Sequence, residues 1–555
     1  MGAAVPAVLV SELAGSARLY PFELPPDPDA GAVPASQVLQ GYVSIVGGRL
    51  RIAANLRNIA SNRTEDSFIV SAPLADGILP LASALARRLD AGAAAFGTQS
   101  SEALRLYVEA ARQADPAAVV SGFERAVALD PNFGSVYVSW CQLLAGRGDR
   151  AGAARVVELA RARGDRISPP DRARLDVDAA ILHGDTASQI KAMTELAHFV
   201  PTDAGLYGRI GDTEILQHRY SEAIRWEKQA LALDPSNDLR LNQLGYAQCW
   251  VHDLDGARET LLQYRKLRPR DANPLDSLGD VHYYWGKFAE AEKYYLEANA
   301  LDPSFLGGGT LLKAARARLM TGDIAAADKI YRDYAARRRA AGDLLLDYRQ
   351  AQWDFLCGRR KQAVASLRQM TNPPAGDAAS AAWSQLAAWY LELGDTDRAR
   401  ESAAHAVAAA HSPGVARQAS LAAYMAAPRE FPAPQDLSSR EIAQGYALLF
   451  HKQFAEAYPV FKDLFDKASP ADPAPFGTLL AWTLIETGRV KEATDLLIPN
   501  SLPNSGGENL FESVAFPRVF QLRSVVVGER GHPNVALGYR QLFLKLSGNL
   551  KQQWD

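Results

Sequence analysis

Cysteine is scarce: three in 555 residues, too few for the disulfide framework of a small secreted scaffold. Charge of one sign is lacking too. Lys and Arg number 60 against 63 Asp and Glu, for a net charge of −3, which removes the global electrostatic footprint of a nucleic-acid binder. No stretch of 18 residues is free of charged and turn residues, so no segment reads as a membrane span. The first residues, MGAAVPAVLVSEL, carry an apolar stretch with no basic residue before it, a poor match to a secretory signal. Pro6 stands where a myristoylation motif wants Ser or Thr. The motifs whose spacing carries chemistry are missing as well: no phosphate loop, no His-Glu-x-x-His, no Cys-x-x-Cys, no Gly-x-Ser-x-Gly elbow and no dinucleotide fingerprint. The expectation is a chain without enzyme activity, cofactor or metal. With 48% hydrophobic and 22% charged residues, it has the composition of a folded protein rather than a disordered one.

What the chain has instead is a repeat. Pro201, Pro235, Pro269 and Pro303 recur every 34 residues. One interval holds Tyr207, Ile210, Gly211, Ala223 and Ala230; the next holds Leu241, Leu244, Gly245, Ala257 and Tyr264; the third holds Leu275, Leu278, Gly279, Ala291, Tyr295 and Ala298. Each interval predicts two antiparallel helices. A small residue in the first helix admits the second, a small residue in the second accepts a knob, and the proline ends the pair. Looser copies flank this core. Upstream lie Phe123, Ala126 and Pro131, then Ala153, Val157 and Ala160, then a degenerate unit over 168–201. Downstream, Gly322/Ala327, Gly358/Ala363 and Gly394/Ala399 repeat a Gly-x-x-x-x-Ala signature, with Trp383, Leu386, Ala387, Tyr390 and Ala406 completing the last of these. The Pro-rich run at 425–437 interrupts the register, which resumes with Gly445, Phe454, Ala457 and Phe461, then Gly488 and Ala493, and a last unit through GERGHPNVALGYRQLFLKLSG.

By period and by residue type at each place, this resembles the tetratricopeptide repeat. The resemblance implies a mainly α fold, an α-α superhelix of stacked helix pairs. The amino-terminal ninety residues differ. GYVSIVGGRLRIAANL at 41–56 alternates about Gly47-Gly48 and reads as a hairpin; FIVSAP at 68–73 reads as another strand; 78–90 reads as an amphipathic helix; and 91–102 reads as a linker. This segment is similar to the TolB-like α/β domain that precedes tetratricopeptide arrays in bacterial CadC-like regulators and Ser/Thr kinases, with ARLYPFEL at 17–24 a loose match to that family's first strand. The expected division is a small α/β domain over 1–92, a repeat array over 103–424, the interruption at 425–437, and further repeat-like units over 438–555.

Several features are weighed against chemistry and read as structural. Cys141, Cys249 and Cys357 lie about three repeats apart, so they read as lone buried thiols. His282 falls at a place for a core aromatic. Gly307-Gly308-Gly309 follows Pro303 and reads as an inter-repeat turn, and Arg337-Arg338-Arg339 as a helix end facing solvent.

The tetratricopeptide resemblance implies ligand residues at the second, fifth, ninth, twelfth and thirteenth places of each unit. Those places hold Asp212, Asn242, Tyr246, Trp250, Asn273, Asp276, Asp280, Tyr283 and Tyr284. The set is aromatic and acidic and lacks the Lys–Asn clamp that grips chaperone tails. It predicts a groove for a protein or peptide partner with basic residues, and no nucleic acid or membrane insertion. The alternative is the sensor region of a signalling protein, a transcription regulator or a Ser/Thr kinase, whose output domain lies outside this chain. The lack of an export pattern points to the cytoplasm; the family resemblance implies the periplasm, where such arrays follow a membrane helix.

Overall fold

The computed structural model describes residues 2–24, 35–372, 376–469, 475–503, 510 and 512–547. By packing, the chain divides into two units, Met1–Ala247 and Gln248–Asp555.

The first unit begins with helix Ala4–Leu13 and an antiparallel meander of β1 (Gln37–Val46), β2 (Arg49–Asn58) and β3 (Arg63–Pro73). The hairpin read from Gly47-Gly48 forms there: both glycines have positive φ, +57° and +73°, as a two-residue hairpin loop requires. Val46 pairs with Arg49 across it. Alternation sends Leu50, Ile52, Ala54, Phe68 and Val70 to one face, where they join Leu81, Ala82 and Leu85 of helix Leu79–Leu89 and Val8 of the first helix in one core.

Two expectations change here. ARLYPFEL at 17–24 forms no strand. The Ser16 hydroxyl accepts the backbone N–H groups of Arg18 and Leu19, turning the chain away from the sheet. Thr202 then donates to the Leu19 carbonyl at 2.9 Å, so the segment is tied to the repeats. The stretch 91–102 is not a free linker either. Phe96 is buried, packs edge-on against Phe133, and its N–H reaches Glu12.

The rest of the first unit is helix pairs: Ser101–Ala111 on Pro116–Leu129, Gly134–Gly146 on Arg150–Arg161, Pro169–His183 on Thr186–Ala197, and Ala204–Leu216 on Tyr220–Leu233. The degenerate stretch 168–201 is therefore a regular pair. In the second unit Asn273–Tyr284 packs on Phe288–Leu301, Gly309–Met320 on Ile324–Ala340, Leu346–Leu356 on Arg360–Met370, and Asp377–Glu392 on Thr396–Ala409. Helices Pro413–Ala426, Leu437–Phe450, Phe454–Lys467 and Phe476–Glu486 continue the array, and Arg518–Glu529 pairs with Pro533–Ser547.

The Gly-x-x-x-x-Ala signature has a direct physical cause. Gly322, Gly358 and Gly394 sit between the two helices of a pair with φ of +79°, +82° and +78°, the left-handed turn that ends the first helix. Five residues on, Ala327, Ala363 and Ala399 are fully buried where the second helix meets the first. The same turn recurs at His218, His252 and Lys452 (φ +56°, +71°, +59°), before buried Ala223, Ala257 and Ala457. At these three places an L-residue takes on a conformation that favours glycine.

Candidate functional site

The face formed by the first helices of successive pairs is where the expected groove residues fall, and the two units present it differently. In the first unit Asp212, Asn242 and Tyr246 are half-buried. Asp212 is held by Arg240, whose Nη1 lies 3.0 Å from its Oδ1. The same Nη1 donates to Glu227 Oε1 at 3.0 Å and to the Gly208 carbonyl at 2.8 Å. Gly211 is small for a specific reason: a Cβ there would stand 2.6 Å from Glu227 Oε1. Burial pushes the Glu227 carboxyl up to about 8, with Arg240 opposing the rise and Asp212 adding to it. On the neighbouring first helices, burial likewise lifts Asp178 to about 6, against a hydrogen bond from Gln142.

In the second unit Trp250, Asn273 and Tyr284 are half-buried, and Asn273 donates to the Tyr264 hydroxyl at 3.3 Å. Asp276, Asp280 and Tyr283 are buried. The two carboxylates surround Lys313: its Nζ lies 2.8 Å from Asp276 Oδ2 and 2.9 Å from Asp280 Oδ1. Tyr295 donates to Asp280 Oδ1 at 2.7 Å. Gly279 leaves room for that ring, since a Cβ would meet Tyr295 Cε1 at 2.4 Å. Burial is the largest influence on Asp276 and lifts its carboxyl to about 7, with Asp280 adding and Lys313 opposing. These acids are internal partners of a buried lysine, placed away from solvent. Burial also raises the Tyr283 and Tyr284 hydroxyls to about 12. His282 and the three cysteines are buried, as read from their spacing; His282 Nδ1 lies 2.7 Å from the Leu278 carbonyl.

Tyr283 and Tyr284 are covered by the chain's own carboxyl-terminal part. The Asn500 backbone N–H donates to the Tyr284 carbonyl at 2.8 Å, and its side-chain amide reaches the carbonyls of Tyr283 and Tyr284 at 3.3 and 3.2 Å. Arg523 braces that segment through the Leu497 carbonyl and Asn500 Oδ1, each at 2.9 Å. Further along the same face, Arg316 Nη2 donates to Glu512 Oε2 at 2.6 Å. Helix Asp377–Glu392 contributes three side chains at spacings of four and three, a single helix face. Gln385 donates to the Leu510 carbonyl at 3.1 Å, Trp389 Nε1 to Ser513 Oγ at 3.0 Å, and Glu392 Oε1 accepts from Arg518 at 3.0 Å. The Arg518 guanidinium lies 3.8 Å over the Trp482 ring. Leu510, Val514, Leu522 and Val526 join a core with Leu386, Trp389 and Trp482, and Phe520 joins one with Leu312 and Trp353.

Sequence reasoning missed Lys313, Arg316, Gln385, Trp389 and Glu392. Glu392 was within reach: counting Ala387 as the eighth place of its unit puts Glu392 at the thirteenth, the place of Trp250 and Tyr284. Lys313 was not, because nothing in the repeat pattern marks a lysine for burial.

Among the described residues no group of three or more His, Cys, Asp or Glu could hold a metal ion, and no helix is long and apolar enough to cross a membrane. A cavity of about 20 Å³ between Leu312, Arg316, Tyr331, Arg349 and Trp353 has room for one water. It is far below the several hundred Å³ of a small-molecule site.

A family model described as tetratricopeptide repeat matches residues 273–305. The chain is 36% identical over 88 residues to the TPR repeat-containing protein PA4667 of Pseudomonas aeruginosa. That match spans 15% of this chain and 15% of the relative. Similar solved structures include the MamA protein, with 18% identity, 32% of this chain and 95% of that one covered, and a TM-score of 0.29. YrrB, titled a TPR protein with an unusual peptide-binding site, has 14% identity, coverages of 33% and 92%, and a TM-score of 0.29. The carboxyl-terminal part of a TPR repeat-containing protein from Cytophaga hutchinsonii has 15% identity, coverages of 42% and 93%, and a TM-score of 0.36. The helix pairs, their glycine turns and the matched repeat at 273–305 together make this a mainly α fold, an array of helix pairs of the tetratricopeptide type with a small three-stranded sheet near its amino terminus.

Proposed function

We propose that this protein is a non-catalytic scaffold that binds polypeptide along the first-helix faces of its repeats. One observation carries the reading. The face of the second unit already holds Leu510, the short helix Glu512–Ala515 and Arg518 through projecting side chains: Gln385 on a carbonyl, Trp389 on a hydroxyl, Glu392 on a guanidinium and Arg316 on a carboxylate. These are the contacts by which a helical surface reads a peptide. In the first unit, half-buried Asp212, Asn242 and Tyr246 would form the ligand-facing set, and in the second Trp250, Asn273 and Tyr284. Half-exposed aromatics beside charged groups are the residue types that anchor interfaces.

The test is panning a random peptide display library on the full chain. The scaffold reading expects a shared motif that is lost in a Tyr246→Ala/Trp250→Ala variant or in a Gln385→Ala/Glu392→Ala variant of unchanged helicity. Retention of no sequence family above background would refute it.

A further inference from the structure

The second unit's face is occupied, and its occupant defines a ligand chemistry. Over the nine residues from Leu510 to Arg518, four groups of the chain are read by the array: the Leu510 carbonyl, the Glu512 carboxylate, the Ser513 hydroxyl and the Arg518 guanidinium. Each partner sits on a different place along the first-helix face. Charge alternates to match, with Arg316 opposite Glu512 and Glu392 opposite Arg518. Complementarity of this kind sets register and partner choice.

Two features suit that face to exchange of its occupant. Glu392 uses only Oε1 on Arg518, and no partner is found for Oε2 among the described residues. Nearby, Arg360 is 1% exposed, and none of its three guanidinium nitrogens has a hydrogen-bond partner among the described residues. It stacks 4.5 Å from the Phe355 ring, which itself stacks on Trp389 at 4.1 Å between centroids. Glu392 favours the charge on Arg360, and Arg518 opposes it, so departure of Arg518 still leaves that carboxylate within the field of a cation. An abandoned buried charge is the usual obstacle to breaking such a pair.

We propose that Leu510 and residues 512–518 are a built-in ligand of the second unit, and that the same face takes in trans a polypeptide segment with a carboxylate, a hydroxyl beside it and a guanidinium five to six residues on. The proposal rests on the scaffold reading and narrows it to one face and one ligand chemistry. It also turns the expected basic ligand into one of mixed charge. Because the built-in segment is tethered, its effective concentration is on the order of millimolar, so a free competitor binds the intact chain weakly.

The experiment uses a fluorescent peptide of residues 510–523 and the full chain. Anisotropy is read on the wild type, on Glu512→Ala/Arg518→Ala, where the first-helix side chains are unchanged and the built-in ligand weakened, and on that variant with the isosteric Glu392→Gln added. The proposal expects at least tenfold tighter binding by the double variant than by the wild type, and loss of the gain in the triple variant. Equal binding to wild type and double variant overturns it while leaving the scaffold reading standing, because the face is then open already. Binding to none of the three overturns it, and the library panning then decides the scaffold reading separately. Should the double variant lose helicity, hydrogen exchange on the wild type decides. Saturating peptide must speed exchange of the amides of Arg518–Glu529, and unchanged protection overturns the proposal. A wild-type dimer in light scattering that falls to a monomer in Arg518→Ala would assign the occupant to a second copy and overturn the assignment to the same chain.

Discussion

The first-helix faces of the two units use the same place for opposite ends. Asp212 and Asp280 each follow the small glycine of their unit by one residue, and each meets a cation from a neighbouring first helix. In the first unit Asp212 keeps a side chain 38% exposed beside Arg240. In the second, Asp280 and Asp276 are 7% exposed on their side chains and close around Lys313. What separates them is the company each keeps: Lys313 and Tyr295 close on Asp280, and Asn500 covers the neighbouring Tyr283 and Tyr284 carbonyls. In the second unit Asn500, Leu510 and Ser513 lie against its own first helices, and Tyr283, Gln385 and Trp389 become part of a core. A repeat pattern assigns places in a unit; the burial of those places depends on what the rest of the chain does.

The largest expected effects come from breaking the internal pairs of the second unit. Lys313→Met leaves two carboxylates buried without their cation, which costs about 3–5 kcal/mol in a denaturant melt. The same change made at Arg105, whose pairs with Glu102 and Glu109 are solvent-exposed, should cost far less, because water and salt screen those pairs. Equal losses would erase the distinction between the units' cores and their surfaces. Glu392→Ala also strands Arg518 and Arg360 and belongs to the first class.

Acid should sharpen the comparison further. Asp276 has its folded pKa raised to about 7, so the folded state binds this proton more tightly than the unfolded chain does. Its contribution to stability is full below the unfolded value near 4 and is lost as pH rises through 7. Glu227 in the first unit, raised to about 8, acts in the same direction over a slightly higher window. Melts from pH 4 to 9 should therefore show stability from these groups falling, and Asp276→Asn should flatten the part between 4 and 7. An unchanged slope in that variant would contradict the assignment.

Smaller effects attach to the glycines. Gly279→Ala drives a Cβ into the Tyr295 ring and should cost about 1–3 kcal/mol by overpacking. Gly394→Ala meets no atom within 4 Å and loses only its left-handed turn, roughly 1 kcal/mol. A reversed order in thermal melts would mean that the turn, rather than the close approach, sets the repeat's need for glycine.

Much of the fold is legible in the sequence because it rests on local rules. The 34-residue proline interval, the Gly-x-x-x-x-Ala turns and the Gly47-Gly48 hairpin each state their geometry within a few residues, and each forms where it was read. Helix Ala4–Leu13 was not legible. Its apolar run lacks a helical stripe, and it is stabilised by the sheet and by helix Leu79–Leu89, as distant contacts in the core show. The candidate groove was half legible. The places for ligand residues follow from the repeat, but Asp276, Asp280 and Tyr283 are buried by Lys313 and by residues more than two hundred positions downstream. No pattern within a repeat can encode that return of the chain. The glycine-containing stretch before Leu510 and the charged Glu512 and Arg518 in an otherwise apolar run were its only trace.

The central claim is that Leu510, Glu512, Ser513 and Arg518 lie on the first-helix face of the second unit in the same molecule. A double-mutant cycle at Glu392 and Arg518, whose carboxylate and guanidinium stand 3.0 Å apart, tests it most directly when read in denaturant melts of a chain that light scattering shows to be monomeric. The account predicts that the losses from Glu392→Ala and Arg518→Ala fall short of additivity, the second change costing little once the first is made. Additive losses, or a coupling present only in a dimer, would contradict it.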